Sequence, residues 1–163
     1  MKKISYLLIS LIFLINISAC TGYKPIFGSS NLEFKIVDYS ISGDKKLGKQ
    51  IYSKLHNLSK SNQKNTNTQS IAIIIDVTKN KTATVKNSAG KVLEYRVLLN
   101  SKIIIKDYLT DDEILNQNFS YSSTYRVQDK YSETKKIENK STKDLINKTY
   151  QNLIIKMSEI ISK

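Results

Sequence analysis

The chain has 163 residues, one cysteine, and a formal charge of +12 from 26 Lys and Arg against 14 Asp and Glu. A lone cysteine excludes an internal disulfide framework, and the length suits one domain with a real core rather than two. A basic surplus of this size points to anionic partners: nucleic acid, lipid head groups or phosphorylated glycolipids.

Residues 1–19 read as a secretory signal. Lys2 and Lys3 form a positive n-region, and Ile4 to Ile17 form an apolar stretch broken only by Ser5, Ser10 and Asn16. That stretch is short for a spanning helix, which needs about 20 apolar residues. It ends in Ile17-Ser18-Ala19-Cys20, which resembles a bacterial lipobox. Small residues before the cut fit the lipoprotein peptidase, and the Cys20 thiol carries the diacylglyceryl group. The mature chain then begins at an acylated Cys20, and more than one acyl chain makes anchoring durable. With that thiol occupied, none remains for a metal site or a nucleophile. Loss of the two signal lysines leaves a charge of +10. Export excludes nucleic acid as a partner and leaves lipid head groups and phosphorylated glycolipids.

Residues 20–31 form a lipidated tether holding the only proline, Pro25, between Gly22 and Gly28. Residues 32–163 form a single domain. Leu32, Phe34 and Ile36 alternate, then Val37, Tyr39 and Ile41 take the opposite phase, which predicts a strand with a bulge near Ile36-Val37. Gly43-Asp44 closes the strand, and Asp44 is placed to cap a helix over about 44–60. Leu47, Ile51, Leu55 and Leu58 make the apolar stripe of that helix. A polar loop at 60–69 precedes Ile71, Ile73, Ile75 and Val77, the alternating face of a long strand reaching Val85.

Asn87-Ser88-Ala89-Gly90 reads as a hairpin turn with positive φ at the glycine. The next strand alternates Leu93, Tyr95, Val97 and Leu99, then Ile103 and Ile105. Beyond Thr110-Asp111-Asp112, one face of a fourth strand carries Leu115, Phe119, Tyr121, Tyr125 and Val127. From about Tyr131 to Ser162 there is neither Gly nor Pro. Ile137, Leu145, Ile146, Leu153, Ile154, Met157, Ile160 and Ile161 recur there at helical spacing, better defined in the second half. The order β-α-β-β-β-α predicts an α+β two-layer sandwich, with two helices on one face of a four-stranded, mostly antiparallel sheet.

Nothing in the sequence has the spacing of a catalytic or metal site, and no cofactor is expected. His56, the only histidine, lies beside the stripe of the first helix and reads as a packing residue. Asp111-Asp112-Glu113 sits in a hairpin turn, where Asp suits the backbone geometry. The chain is expected not to be an enzyme.

The lipobox, the segment Gly22-Tyr23-Lys24-Pro25-Ile26-Phe27-Gly28 and the element order together resemble the lipopolysaccharide-assembly lipoprotein family LptE, in its α-proteobacterial form. The family's segment is usually Gly-Phe-x-Pro-Leu-Tyr-Gly, so each difference here keeps the class of side chain. Thr21 separates Cys20 from Gly22, where the family usually has Gly directly after Cys. Elsewhere the likeness is one of architecture. The resemblance implies a lipid-anchored protein on the periplasmic face of the outer membrane. Such a protein plugs the LptD β-barrel, helps it assemble and aids passage of lipopolysaccharide to the surface, and family members bind lipopolysaccharide itself.

Lipid A phosphates and core sugars then become the anionic partner of the lysines. If the first and second strands are joined by a parallel crossover, the topology brings Lys45, Lys46, Lys49, Lys86, Lys91, Arg126 and Lys130 to the tip opposite Cys20. These seven are the candidate lipopolysaccharide-binding residues. The alternative is another small envelope lipoprotein that carries phospholipid or serves a different transport complex.

Overall fold

The computed structural model describes residues 32–61 and 68–161. The signal segment, Cys20 and the tether lie outside the described residues, as does 62–67 of the polar loop. The elements are β1 (Phe34–Gly43), α1 (Lys45–Ser61), β2 (Gln69–Lys86), β3 (Val92–Asp107), β4 (Glu113–Arg126) and α2 (Tyr131–Ile161). The sheet order is β1-β2-β3-β4, with β1 parallel to β2 and the other two pairings antiparallel. Both helices cover one face, as the period-two patterning requires. No described helix is long and apolar enough to cross a membrane.

Local chemistry sets each junction. In β1 the pairing steps from Ile36↔Ile71 to Asp38↔Ala72, so Val37 is the extra residue of a bulge, where the alternation changes phase. Gly43 then adopts φ +68°, and a Cβ there would run into the carbonyl of Val77. Only glycine fits such a corner. Asp44 donates its N–H to the Val77 carbonyl at 2.6 Å, and its Oδ1 accepts the N–H groups of Lys46 and Leu47 at 3.1 Å each. A cap of this kind is worth about 1 kcal/mol, and its carboxylate offsets the three cations of the first helical turns. At the other end of α1, the buried Ser59 hydroxyl donates to the Phe34 carbonyl at 2.9 Å, tying helix to strand.

The core is continuous between sheet and helices. Ile71, Ile73, Ile75 and Val77 of β2 meet Val97, Leu99, Ile103 and Ile105 of β3, with Leu115, Phe119 and Tyr125 of β4 beside them. Leu47, Ile51 and Leu55 of α1 and Leu145, Ile146, Leu153, Ile154 and Met157 of α2 close over this face. Each such side chain contributes about 1.5–3 kcal/mol by leaving water, which must suffice where no disulfide can form.

Several residues of the apolar patterns stand outside the core, Val37 and Tyr39 at the β1 edge among them. Leu93 is 42% exposed because the β2–β3 hairpin runs past the end of β4. Ile160 is 43% exposed in the last turn of α2. Val127, expected on the face of the fourth strand, lies just past its end. The weak apolar stripe in the first half of α2 has a structural counterpart: its buried positions are Thr134, Glu138 and Thr142.

Candidate functional site

The parallel crossover forms, but the seven candidate cations divide into two groups. The cause is strand length. β1 has 10 residues and β2 has 18, so Gly43 pairs with Val77, halfway along β2. α1 therefore starts beside mid-sheet. Nine residues separate Val77 from Lys86, which is roughly 30 Å of strand. Lys45, Lys46 and Lys49 are exposed at this intermediate level, away from the tip. That overturns the expected convergence of all seven.

Lys86, Lys91 and Arg126 do share the end of the sheet. The Asn87 side chain shapes the hairpin by accepting the N–H groups of Ala89 and Lys91 at 3.1 and 2.9 Å, and Gly90 takes φ +79°. Arg126 pairs across from Glu94 at the last rung of β4, exposed to solvent. Lys130 follows in the connection to α2, with its ammonium 3.8 Å from Glu133.

Beneath this hairpin lies a cation group that sequence reasoning missed. Past Val77 the core-facing phase of β2 continues as Lys79 and Lys81, and both turn toward Glu138 of α2. Lys81 donates to the Glu138 carboxylate at 2.9 Å, Lys135 donates at 3.2 Å, and Lys79 stands 3.5 Å away. The Tyr125 hydroxyl donates to the same carboxylate at 3.1 Å. Lys81 also lies over the Tyr95 ring, 4.0 Å from its centroid, and 5.6 Å from that of Tyr125.

Glu138 is only 4% exposed. Burial alone would raise its pKa, but donation from Lys81, Lys135 and Tyr125 outweighs burial and holds the carboxyl at about 2. Burial pulls the Lys81 pKa down, and its bonds to Tyr125 and Glu138 more than reverse this, leaving it raised. Burial pushes the Tyr125 hydroxyl up. Three lysines around one carboxylate leave this region with surplus positive charge. The readable signal was a Thr134, Glu138, Thr142 stripe at intervals of four, in phase with the apolar residues behind it.

Two clefts open from these cations. One, of about 400 Å³, lies between hairpin and helix start, lined by Lys81, Lys91, Tyr95, Val127, Gln128 and Tyr131 among others. It combines cationic and aromatic walls, suited to an anionic group attached to a sugar or apolar body. The other, of about 300 Å³, lies between the helices and includes Lys46, Lys79, Asn139 and Lys143. The uncovered sheet face differs from both. Its β4 positions are Asn116, Asn118, Ser120, Ser122 and Thr124, all exposed and uncharged. The Ser120 hydroxyl donates to the Asn100 side chain at 2.8 Å.

His56 stacks on Tyr52 with centroids 5.5 Å apart, and Tyr52 on Tyr39 at 4.1 Å, a packing arrangement at the β1 edge. Asp111 and Asp112 lie in the β3–β4 turn, and Asp111 takes φ +61°. Among the described residues no group of three His, Cys, Asp or Glu is placed to hold a metal ion.

The fold is that of small bacterial lipoproteins. Rare lipoprotein B from Shewanella oneidensis superposes with a TM-score of 0.52 at 14% identity, over 75% of this chain and 94% of that one. A minor lipoprotein from Acinetobacter baumannii matches with a TM-score of 0.56 at 14% identity, over 78% and 93% of the two chains. Lipoprotein B from Nitrosomonas europaea, itself uncharacterized, matches with a TM-score of 0.56 at 18% identity, over 82% and 88%. At these identities the likeness is one of fold. No family model matches the sequence, and no curated protein matches it.

Proposed function

We propose that this chain is a lipoprotein of the outer membrane, held at its periplasmic face by acyl chains on Cys20. It assembles with the LptD β-barrel as a plug and aids delivery of lipopolysaccharide to the outer leaflet. The observation that carries this reading is the pairing of a lipobox and its Gly-aromatic-Pro segment with the fold shared by rare lipoprotein B. The role is one of binding and assembly rather than catalysis.

The geometry supports the plug and the contact with an anionic lipid. A plug must present polar side chains to a polar lumen, and the uncovered face of the sheet offers Asn, Ser and Thr along β4, beside Arg96 and the Asp76 and Lys102 positions paired across β2 and β3. Lipopolysaccharide brings phosphates, and Lys86, Lys91 and Arg126 stand at the sheet end farthest from the tether. Exposed cations of this kind attract anions over about 8–10 Å at physiological salt. Close in, Arg126 can hold a phosphate bidentately, whereas the lysines act as point charges. A phospholipid carrier needs an enclosed apolar pocket, and neither cleft described above is lined by apolar side chains alone.

Photo-cross-linking inside cells from a probe at Asn118, on the uncovered face, should trap a large outer-membrane barrel. Recovery of the chain without such a partner refutes the plug.

A further inference from the structure

The geometry points to the β3–β4 turn as a membrane-contact element: Tyr108 and Leu109 seat in the head-group interface of the bilayer that holds the Cys20 acyl chains. This rests on the reading of Cys20 as lipidated. Leu109 is 84% exposed and Tyr108 is 50% exposed, side by side at the tip of a hairpin. A single exposed leucine is ordinary on a protein surface. What distinguishes this pair is how firmly the turn is held and which end of the domain it occupies.

Asp107 organises the turn. Its Oδ1 accepts the N–H groups of Leu109 and Thr110 at 2.9 and 3.1 Å, and its Oδ2 accepts from the Gln69 side chain at 3.1 Å. Its backbone pairs with Asp112 and Asp111, and the Tyr108 N–H donates to the Ser70 carbonyl at 3.0 Å. Lys106 holds both carboxylate oxygens of Asp111 at 3.0 Å. The apolar pair therefore has little freedom to fold back onto the domain. It is presented outward, and ordering it at an interface costs little further entropy.

Position selects the partner. Gln69, which braces the turn, pairs with Phe34 at the start of β1. Leu32 lies two residues before that and is buried, so the path back to Cys20 leaves from this same end. The 12 steps from Leu32 to Cys20 can span at most roughly 40 Å. By contrast β2 carries the basic hairpin 17 residues beyond Gln69, roughly 55 Å farther away. The last turn of α2, with exposed Ile160, also returns toward the tethered end.

The charges fit a zwitterionic surface rather than an anionic one. Asp107, Asp111, Asp112 and Glu113 crowd the turn and outnumber Lys106, Lys35 and Lys60 at this end, whereas Lys86, Lys91 and Arg126 lie at the opposite end. An anionic leaflet would repel the turn and attract the tip, inverting the domain. Insertion is therefore driven by the leucine side chain and by a tyrosine ring, whose apolar body and polar hydroxyl suit the head-group level. Together with the acyl anchor this makes a second contact, and two contacts define an orientation where one does not.

The chain contains no tryptophan, so one introduced residue reports alone. The full acylated protein, as Leu109→Trp and separately as Ser88→Trp, is reconstituted in phosphatidylcholine–phosphatidylethanolamine vesicles with brominated acyl chains. Expected is flotation of both variants with the vesicles. Emission of the Leu109→Trp variant should be blue-shifted and quenched about twofold or more, since interfacial side chains reach roughly 5–10 Å into the boundary region. The Ser88→Trp variant, at the hairpin tip, should be unquenched. Flotation with neither variant quenched overturns the membrane contact while the acyl anchor stands. Failure to float overturns the lipidation reading and this inference with it. Emission of the Leu109→Trp variant that shifts only on adding a solubilised outer-membrane barrel assigns the turn to protein and overturns the lipid partner.

Discussion

Glu138→Gln removes one charge from the interior of the basic end while keeping the side chain's size. The wild-type carboxylate is 4% exposed and accepts from Lys81, Lys135 and Tyr125. Its pKa is held at about 2 instead of the ordinary 4.5. At about 1.4 kcal/mol per pH unit, that depression corresponds to about 3 kcal/mol of folding stability. Because the folded pKa is the lower one, this stability is complete above pH 4.5 and disappears as pH falls toward 2. The three lysine side chains are 28–48% exposed and can turn to water once the charge is gone. The expected loss at pH 7 is therefore about 2–3 kcal/mol, short of the 3–5 kcal/mol of a fully buried broken pair. Urea unfolding followed by circular dichroism measures it. Between pH 7 and pH 3 the difference between wild type and variant should shrink by about 2 kcal/mol. An equal difference at both pH values would refute the assignment of the stability to the ionised carboxylate.

Two further outcomes follow from the geometry. Gly43→Ala forces a Cβ against the Val77 carbonyl at positive φ and should cost more than about 2 kcal/mol. Gly90→Ala, where nothing lies within 4 Å, should cost only the φ penalty of about 1 kcal/mol, and equal losses would contradict the tight corner. Charge reversal of Lys86, Lys91 and Arg126 together should weaken lipopolysaccharide binding at least about tenfold, with circular dichroism unchanged and greater sensitivity to salt. The same reversal at Lys45, Lys46 and Lys49 should do less, since those residues sit roughly 30 Å back along the sheet; a reversed ranking would move the site to the cleft between the helices.

Much of the fold is legible in the chain because its signals are local. The bulge follows from the change of phase between Ile36 and Val37, the corner from Gly43-Asp44, and the hairpin from Asn87 to Gly90. The buried phase of β3, of β4 and of β2 up to Val77 follows from alternation at period two. Polar residues on that buried phase gave no such signal. Lys79, Lys81 and Glu138 look like surface charges when each is read alone, because a charge announces its burial only through its partner. Here that partner lies 57 residues away in the chain.

The sequence by itself determined the element order, the parallel crossover expected from it, and which faces are apolar, since these depend on neighbours within a few residues. Tertiary structure decided which residues share an end. The unequal lengths of β1 and β2 set α1 at mid-sheet and divided the seven cations. The return of α2 along the sheet enclosed Glu138 among three lysines. The register Phe34↔Gln69 set the Tyr108-Leu109 turn at the end of the sheet where β1 begins. Each of these is a long-range distance, and distance between remote segments is created only by packing.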